Sequence, residues 1–163
     1  MWNCIDAQPS SVTREPMKAL TISQPHASLI ASGDKWVENR SWFTPYRGPL
    51  AIHAGSGTQY LTKSQLREYP TGVVIAVCRL AACIKFGPHD ITEAAVLIQG
   101  TTKTVADLMG HEHAEGPWCW ILEDVQKLGD HVKCGGHLGL WECTRDMLCE
   151  IVRQESLTPS PPV

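Results

Sequence analysis

Residues 72–86, GVVIAVCRLAACIKF, run with almost no polar break and are rich in Val, Ile and Ala. Such a run reads as a strand buried on both sides, or as a long strand bent into a barrel. It is the predicted core of a sheet. Arg79 interrupts it, and it falls well short of the roughly 20 apolar residues a bilayer span needs, so no transmembrane helix is expected.

The remaining segments supply partners for that strand. KALTIS (18–23), PLAIHA (49–54), PWCWILEDV (117–125) and HLGLWECT (137–144) have the alternation or turn boundaries of strands, and the block after Gly33, WVENRSW (36–42), reads as an extended segment. Trp118 and Trp120 fall on one face of their strand, whereas Trp36, Glu38 and Arg40 face one way and Lys35, Val37 and Asn39 the other. Residues 25–33 read as a short helix with Pro25 in its first turn and Gly33 at its stop. Thr62 followed by Gln65 signals a second helix over 61–69, and residues 145–155 have the spacing of a third. Residues 90–110, with Asp90 as an N-cap, hold one or two helices or a long excursion, and 110–116 is a loop. Five or six short strands with inserted helices make a small, mostly β, α+β domain, closed as a barrel so that no edge stays exposed.

A chain of 163 residues fits one domain. The expected organisation is a flexible N-terminal extension over 1–17, a domain over 18–144, a C-terminal helix over 145–155 and a disordered tail over 156–163. Composition is that of an ordinary soluble protein, 43% hydrophobic and 19% charged. Net charge is −3, which argues against a general polyanion binder, but residues 1–89 carry nine Lys/Arg against five Asp/Glu and residues 90–163 carry five against twelve. A local basic face is therefore allowed. Seven cysteines without a Cys-x-x-Cys pair, behind an N-terminus lacking a basic-then-apolar leader, fit reduced thiols in the cytoplasm.

The densest chemistry lies in GDKWVENR, residues 33–40, which joins two cations, two carboxylates and an indole. Lys35 and Arg40 suit a phosphate or a base carbonyl, and Glu38 suits an exocyclic amine. The same trio could equally be a structural ion pair. Trp42, Tyr46, Arg47 and His53 continue the aromatic and basic theme, and one of Trp36, Trp42, Trp118 and Trp120, most readily Trp42 or Trp118, is expected to line a cleft as a stacking wall. Neither His111-x-His113 with Glu112 and Glu115, nor Cys134-x-x-His137 with Cys119, supplies four ligands at a recognised zinc spacing. No metal and no cofactor are expected.

Gly33-x-Lys35-x-x-Glu38-x-Arg40 resembles the full diagnostic motif of the ASCH domain, in its place after a helix that follows ALTISQPHASLI. ENRSWFTPYRGPLAIHAG, PWCWILEDV and HLGLWEC resemble further blocks of bacterial and phage members, so the likeness spans residues 18–144. The resemblance implies a PUA-like β-barrel with a cleft beside the motif, and binding of RNA or a modified nucleotide, with no membrane partner. Some small ASCH proteins resemble amidohydrolases acting on an acylated cytidine such as N4-acetylcytidine, using a Lys, a Thr three residues later and a Glu from elsewhere in the sheet. Lys35 matches that Lys, but Glu38 holds the position of the Thr.

Three readings follow. The first is an RNA or modified-nucleotide binder using Lys35, Glu38, Arg40, Trp42, Tyr46, Arg47, His53 and Trp118. The second is a small hydrolase, an amidohydrolase or a metal-independent ribonuclease, with Lys35 as base or nucleophile and Glu38 as proton relay. The third is a partner-binding protein in which the motif only holds the fold.

Overall fold

The computed structural model describes residues 16–87 and 96–155. Six strands form one sheet in the order β2-β5-β4-β3-β1-β6. The strands are β1 (Lys18–Ile22), β2 (Val37–Arg40), β3 (Gly48–Ala54), β4 (Val73–Lys85), β5 (Trp118–Lys133) and β6 (Leu140–Glu142). β1 and β3 pair in parallel, and every other neighbouring pair is antiparallel. The helices are α1 (His26–Ser32), α2 (Val105–Met109) and α3 (Arg145–Glu155). This is the α+β, PUA-like barrel of six strands with short inserted helices.

β4 is buried on both sides, as its unbroken apolar sequence requires. Ile75, Cys78 and Leu80 join an inner core with Leu20, Leu50, Ile52, Trp120 and Leu122, capped by Ala27, Ile30 and Ala31 of α1. Val74 and Val77 face an outer core covered by Met147 and Ile151 of α3. Ala82 joins a third cluster with Val37, Cys119 and Ile121, covered by Leu108 of α2. The period of two on β5 is kept, with Trp118 and Trp120 facing inward and Cys119 and Ile121 outward.

The sheet is curled. β1 and β2 are four places apart in the strand order, roughly 19 Å across a flat sheet, yet Arg40 Nη2 of β2 donates to Thr21 O of β1 at 3.1 Å. Register shifts in the β4–β5 ladder, with Asp124 at a positive φ of 54°, supply the local bends. The barrel stays open between β1 and β2. Among the described residues β6 pairs with β1 only as far as Leu20, so the edge of β1 beyond it lacks a strand partner there, and β2 pairs with β5 alone.

Several expectations shift in extent. β5 runs to Lys133 rather than ending at Val125, β6 holds three residues, and the helix read over 61–69 is a single 3₁₀ turn, Gln65–Arg67, ahead of which Thr62 and Gln65 exchange reciprocal side-chain-to-backbone bonds. The 90–110 stretch contains α2, capped by Thr104 and Asp107, while Asp90 lies outside the described residues. So do the 156–163 tail and most of the N-terminal extension. Met17, placed by its sequence in that extension, packs against the outer core, and its carbonyl accepts from Cys143 N at 3.0 Å. The six described cysteines are free thiols, and burial pushes Cys78 up to about 12 and Cys119 and Cys143 up to about 11. Among the described residues, no helix is long and apolar enough to cross a membrane.

Candidate nucleic-acid interface

The site is built where α1 turns into β2. Gly33 closes α1 at φ 87°, a left-handed conformation that favours glycine, and its N–H donates to Ile30 O at 3.0 Å. Lys35 N–H then donates to Leu29 O at 3.0 Å, which folds Lys35 back against the helix end before β2 begins at Val37. For that reason Lys35 does not obey the strand alternation read from sequence. Its ammonium lies on the same side as Glu38, 2.7 Å from Oε2.

Glu38 shares its other oxygen with Arg40, at 3.1 Å. Lys35 and Glu38 are 3% and 7% exposed, so this carboxylate is held by two cations almost out of water, a different situation from a surface pair. Arg40 also takes the Thr21 carbonyl, closing the gap between strand edges with a side chain. Among the described residues its Nε is buried without a hydrogen-bond partner, as is Nδ1 of His26.

Above this floor is a cleft of about 440 Å³ lined by Thr21, Ile22, Ser23, His26, Lys35, Glu38, Asn39, Arg40, Tyr60, His113 and Glu115. Asn39 holds its far wall. Its Nδ2 donates to His113 O at 2.7 Å, and its Oδ1 accepts from Glu115 N and Gly116 N, each at 3.0 Å. Gly116, at φ 75°, could not carry a side chain there, because a Cβ would stand 2.6 Å from Phe86 O. His26 meets Tyr60 and His113 edge-on, each at 6.1 Å between ring centres. Burial, then the Lys35 charge, lower the His26 pKa from its usual range.

Of the eight residues singled out from sequence, Lys35, Glu38 and Arg40 converge, and the other five are not among the cleft's lining residues. Trp42 packs edge-on against Trp120 at 4.7 Å, and Trp118 lies against Phe43 at 5.1 Å. Tyr46 donates its hydroxyl to Pro49 O, and Arg47 bonds Thr44 O and Tyr46 O at 2.8 and 2.6 Å, so both serve the corner that leads into β3. His53 is buried behind β1, with Nδ1 3.2 Å from Thr21 Oγ1 and Nε2 3.2 Å from Cys134 O, and burial lowers its pKa. Trp36 is stacked on His111 at 4.6 Å, with Lys103 over the ring at 5.0 Å. The rings at the cleft are instead those of Tyr60, His26 and His113. His26 follows the QP pair at the start of α1, and that position was its one local signal.

A family model described as the ASCH domain matches residues 20–130. The chain belongs to the ASCH domain family. It is a PUA-like family associated with RNA binding. The human and mouse proteins named activating signal cointegrator 1 are 33% and 35% identical over 40% of this chain, and the match covers 14% of the length of those curated relatives. The crystal structure of a mutant ASCH protein from Zymomonas mobilis superposes with a TM-score of 0.50 at 14% identity, covering 88% of this chain and 99% of that one. That likeness concerns the fold alone.

Proposed function

We propose that this ASCH domain binds single-stranded RNA and takes one base, ordinary or modified, into the cleft between β1 and β2. The observation that carries the reading is the buried Lys35–Glu38–Arg40 cluster on the floor of that cleft, beside the free edge of β2 and the part of β1 beyond Leu20, neither of which has a strand partner on that side among the described residues. Two cations and two carboxylates line the cleft, so its formal charge balances with the histidines neutral. Such a site suits a neutral, polar base better than a phosphate. Each Glu38 oxygen keeps a lone pair for an exocyclic amine, while Lys35 and Arg40 offer N–H groups to a carbonyl. The volume lies within the range of small-ligand clefts.

The competing hydrolase uses the same Lys35, and one experiment separates the two. Purified protein is incubated with fragmented total RNA and with a panel of modified nucleosides, and retained and altered species are read by mass spectrometry, with Arg40→Ala and Lys35→Met alongside. Unaltered ligand, retained by the parent and lost in the variant, supports the reader. A mass change that requires Lys35 replaces it with a hydrolase, and no retention by the parent overturns it.

A further inference from the structure

The cleft leaves a bound strand's phosphates unneutralised. Its two cations, Lys35 and Arg40, are committed to Glu38 at 2.7 and 3.1 Å, and Glu115 adds a second carboxylate. The backbone of a polynucleotide whose base sat there would need its counter-charge outside.

The connection between β3 and β4, residues 55–72, supplies what the cleft lacks. Its ends close on one another and on the cleft wall. Gly72 N–H donates to Ala54 O at 2.8 Å, and Gly55 N–H donates to Ile22 O at 2.9 Å. Just ahead of His26, the fully buried Gln24 donates to Pro70 O at 2.8 Å. Inside the connection, Thr62 N donates to Gln65 Oε1 at 2.9 Å, and the 3₁₀ turn Gln65–Arg67 follows. It is a held arm with closed ends, of the compact kind that often carries function.

The arm presents the groups that a single strand uses. Tyr60 lines the cleft yet is 63% exposed. Lys63 and Arg67 are exposed, and among the described residues neither has an ion pair, as is also true of Lys127, Lys133 and Arg145; what sets the arm's two cations apart is that they share it with the cleft-lining Tyr60.

We propose that this arm is the track for the RNA strand flanking the cleft, with a neighbouring base stacked on Tyr60 and adjoining phosphates against Lys63 and Arg67. Stacking on an aromatic ring accepts any base, and the two cations neutralise backbone without reading sequence. The ligand is then a polynucleotide rather than a free nucleoside. This rests on the cleft reading, and its test keeps the two apart.

Fluorescence anisotropy with a labelled mixed-sequence RNA of about 12 nucleotides, over a range of salt, is paired with mass-spectrometric retention of the nucleoside panel. Lys63→Glu/Arg67→Glu is expected to weaken RNA binding about tenfold and to flatten the plot of log affinity against log salt by about 1.4, two contacts at roughly 0.7 each. Nucleoside retention stays at the parent level. Tyr60→Ala weakens RNA binding several-fold without changing that slope. Unchanged affinity and slope in the double variant overturn the arm and leave the cleft standing. Nucleosides retained by a parent that ignores RNA also overturn the arm alone, and a parent that retains neither overturns both.

Discussion

Arg40 and Arg79 each tie acidic and backbone groups together across the sheet, and they differ in what is left over. Arg79 has a partner on each of its three nitrogens: Nε meets Asp124 at 2.9 Å, Nη2 meets Glu123 at 2.6 Å and Nη1 meets Gly100 O at 3.1 Å. Glu123 spends its other oxygen on Thr102 N and Oγ1, at 2.6 and 2.7 Å. That network fastens a loop to the outside of the barrel. Arg40 serves Glu38 and Thr21 O through one nitrogen, keeps a buried Nε without a partner and borders a cleft. A closed network holds structure, while an open one beside a cavity has donors to offer a ligand.

The contrast is sharpest under truncation. Lys35→Ala leaves Glu38 buried with Arg40 as its remaining cation, and chemical denaturation is expected to register a loss of about 3–5 kcal/mol. Glu123→Ala is expected to lower stability less, by about 1–3 kcal/mol, since Thr102 is exposed and Arg79 keeps Asp124. If Glu123→Ala proved the costlier change, the ranking of the two networks would be reversed.

Acid tests the same contrast more gently. The pKa values of His26, His53 and His111 are lowered, each first by burial. The unfolded chain then binds protons that the fold resists, so the stability these groups contribute is present above the unfolded value of about 6.5 and lost as pH falls below it. Melting temperature followed from pH 8 to pH 5 should drop below that point, and His26→Gln, beside the Lys35 cluster, should flatten part of the drop. The smallest effect belongs to the outer network. Asp124 is exposed at a positive φ, so Asp124→Gly trades an exposed ion pair for backbone ease and should shift stability by less than about 1 kcal/mol in a thermal melt.

Most of the barrel was legible in the chain, because β1, β3, β4 and α1 are each written in a local pattern of apolar residues and turn signals. The motif also announced Lys35, Glu38 and Arg40. Its geometry was hidden, since a period-two reading separates Lys35 from Glu38, and only the turn at Gly33 returns them to one side. The far wall had no local signal either. Tyr60, His113 and Glu115 reach the cleft through pairings with residues distant in sequence, such as Asn39 with the 113–116 loop. Trp42 and Trp118, the rings most expected at the cleft, pack on other rings instead, Trp42 against the fully buried Trp120 and Trp118 against Phe43.

The most direct test replaces the whole buried cluster by apolar residues of similar bulk, Lys35→Met/Glu38→Leu/Arg40→Met, and measures RNA retention and thermal stability on the same sample. Such replacements are often neutral or stabilising. A recognition site predicts a fold that melts near the parent's temperature and no longer retains RNA. A variant that keeps its fold and retains RNA like the parent would contradict that account and leave the motif with a structural role alone.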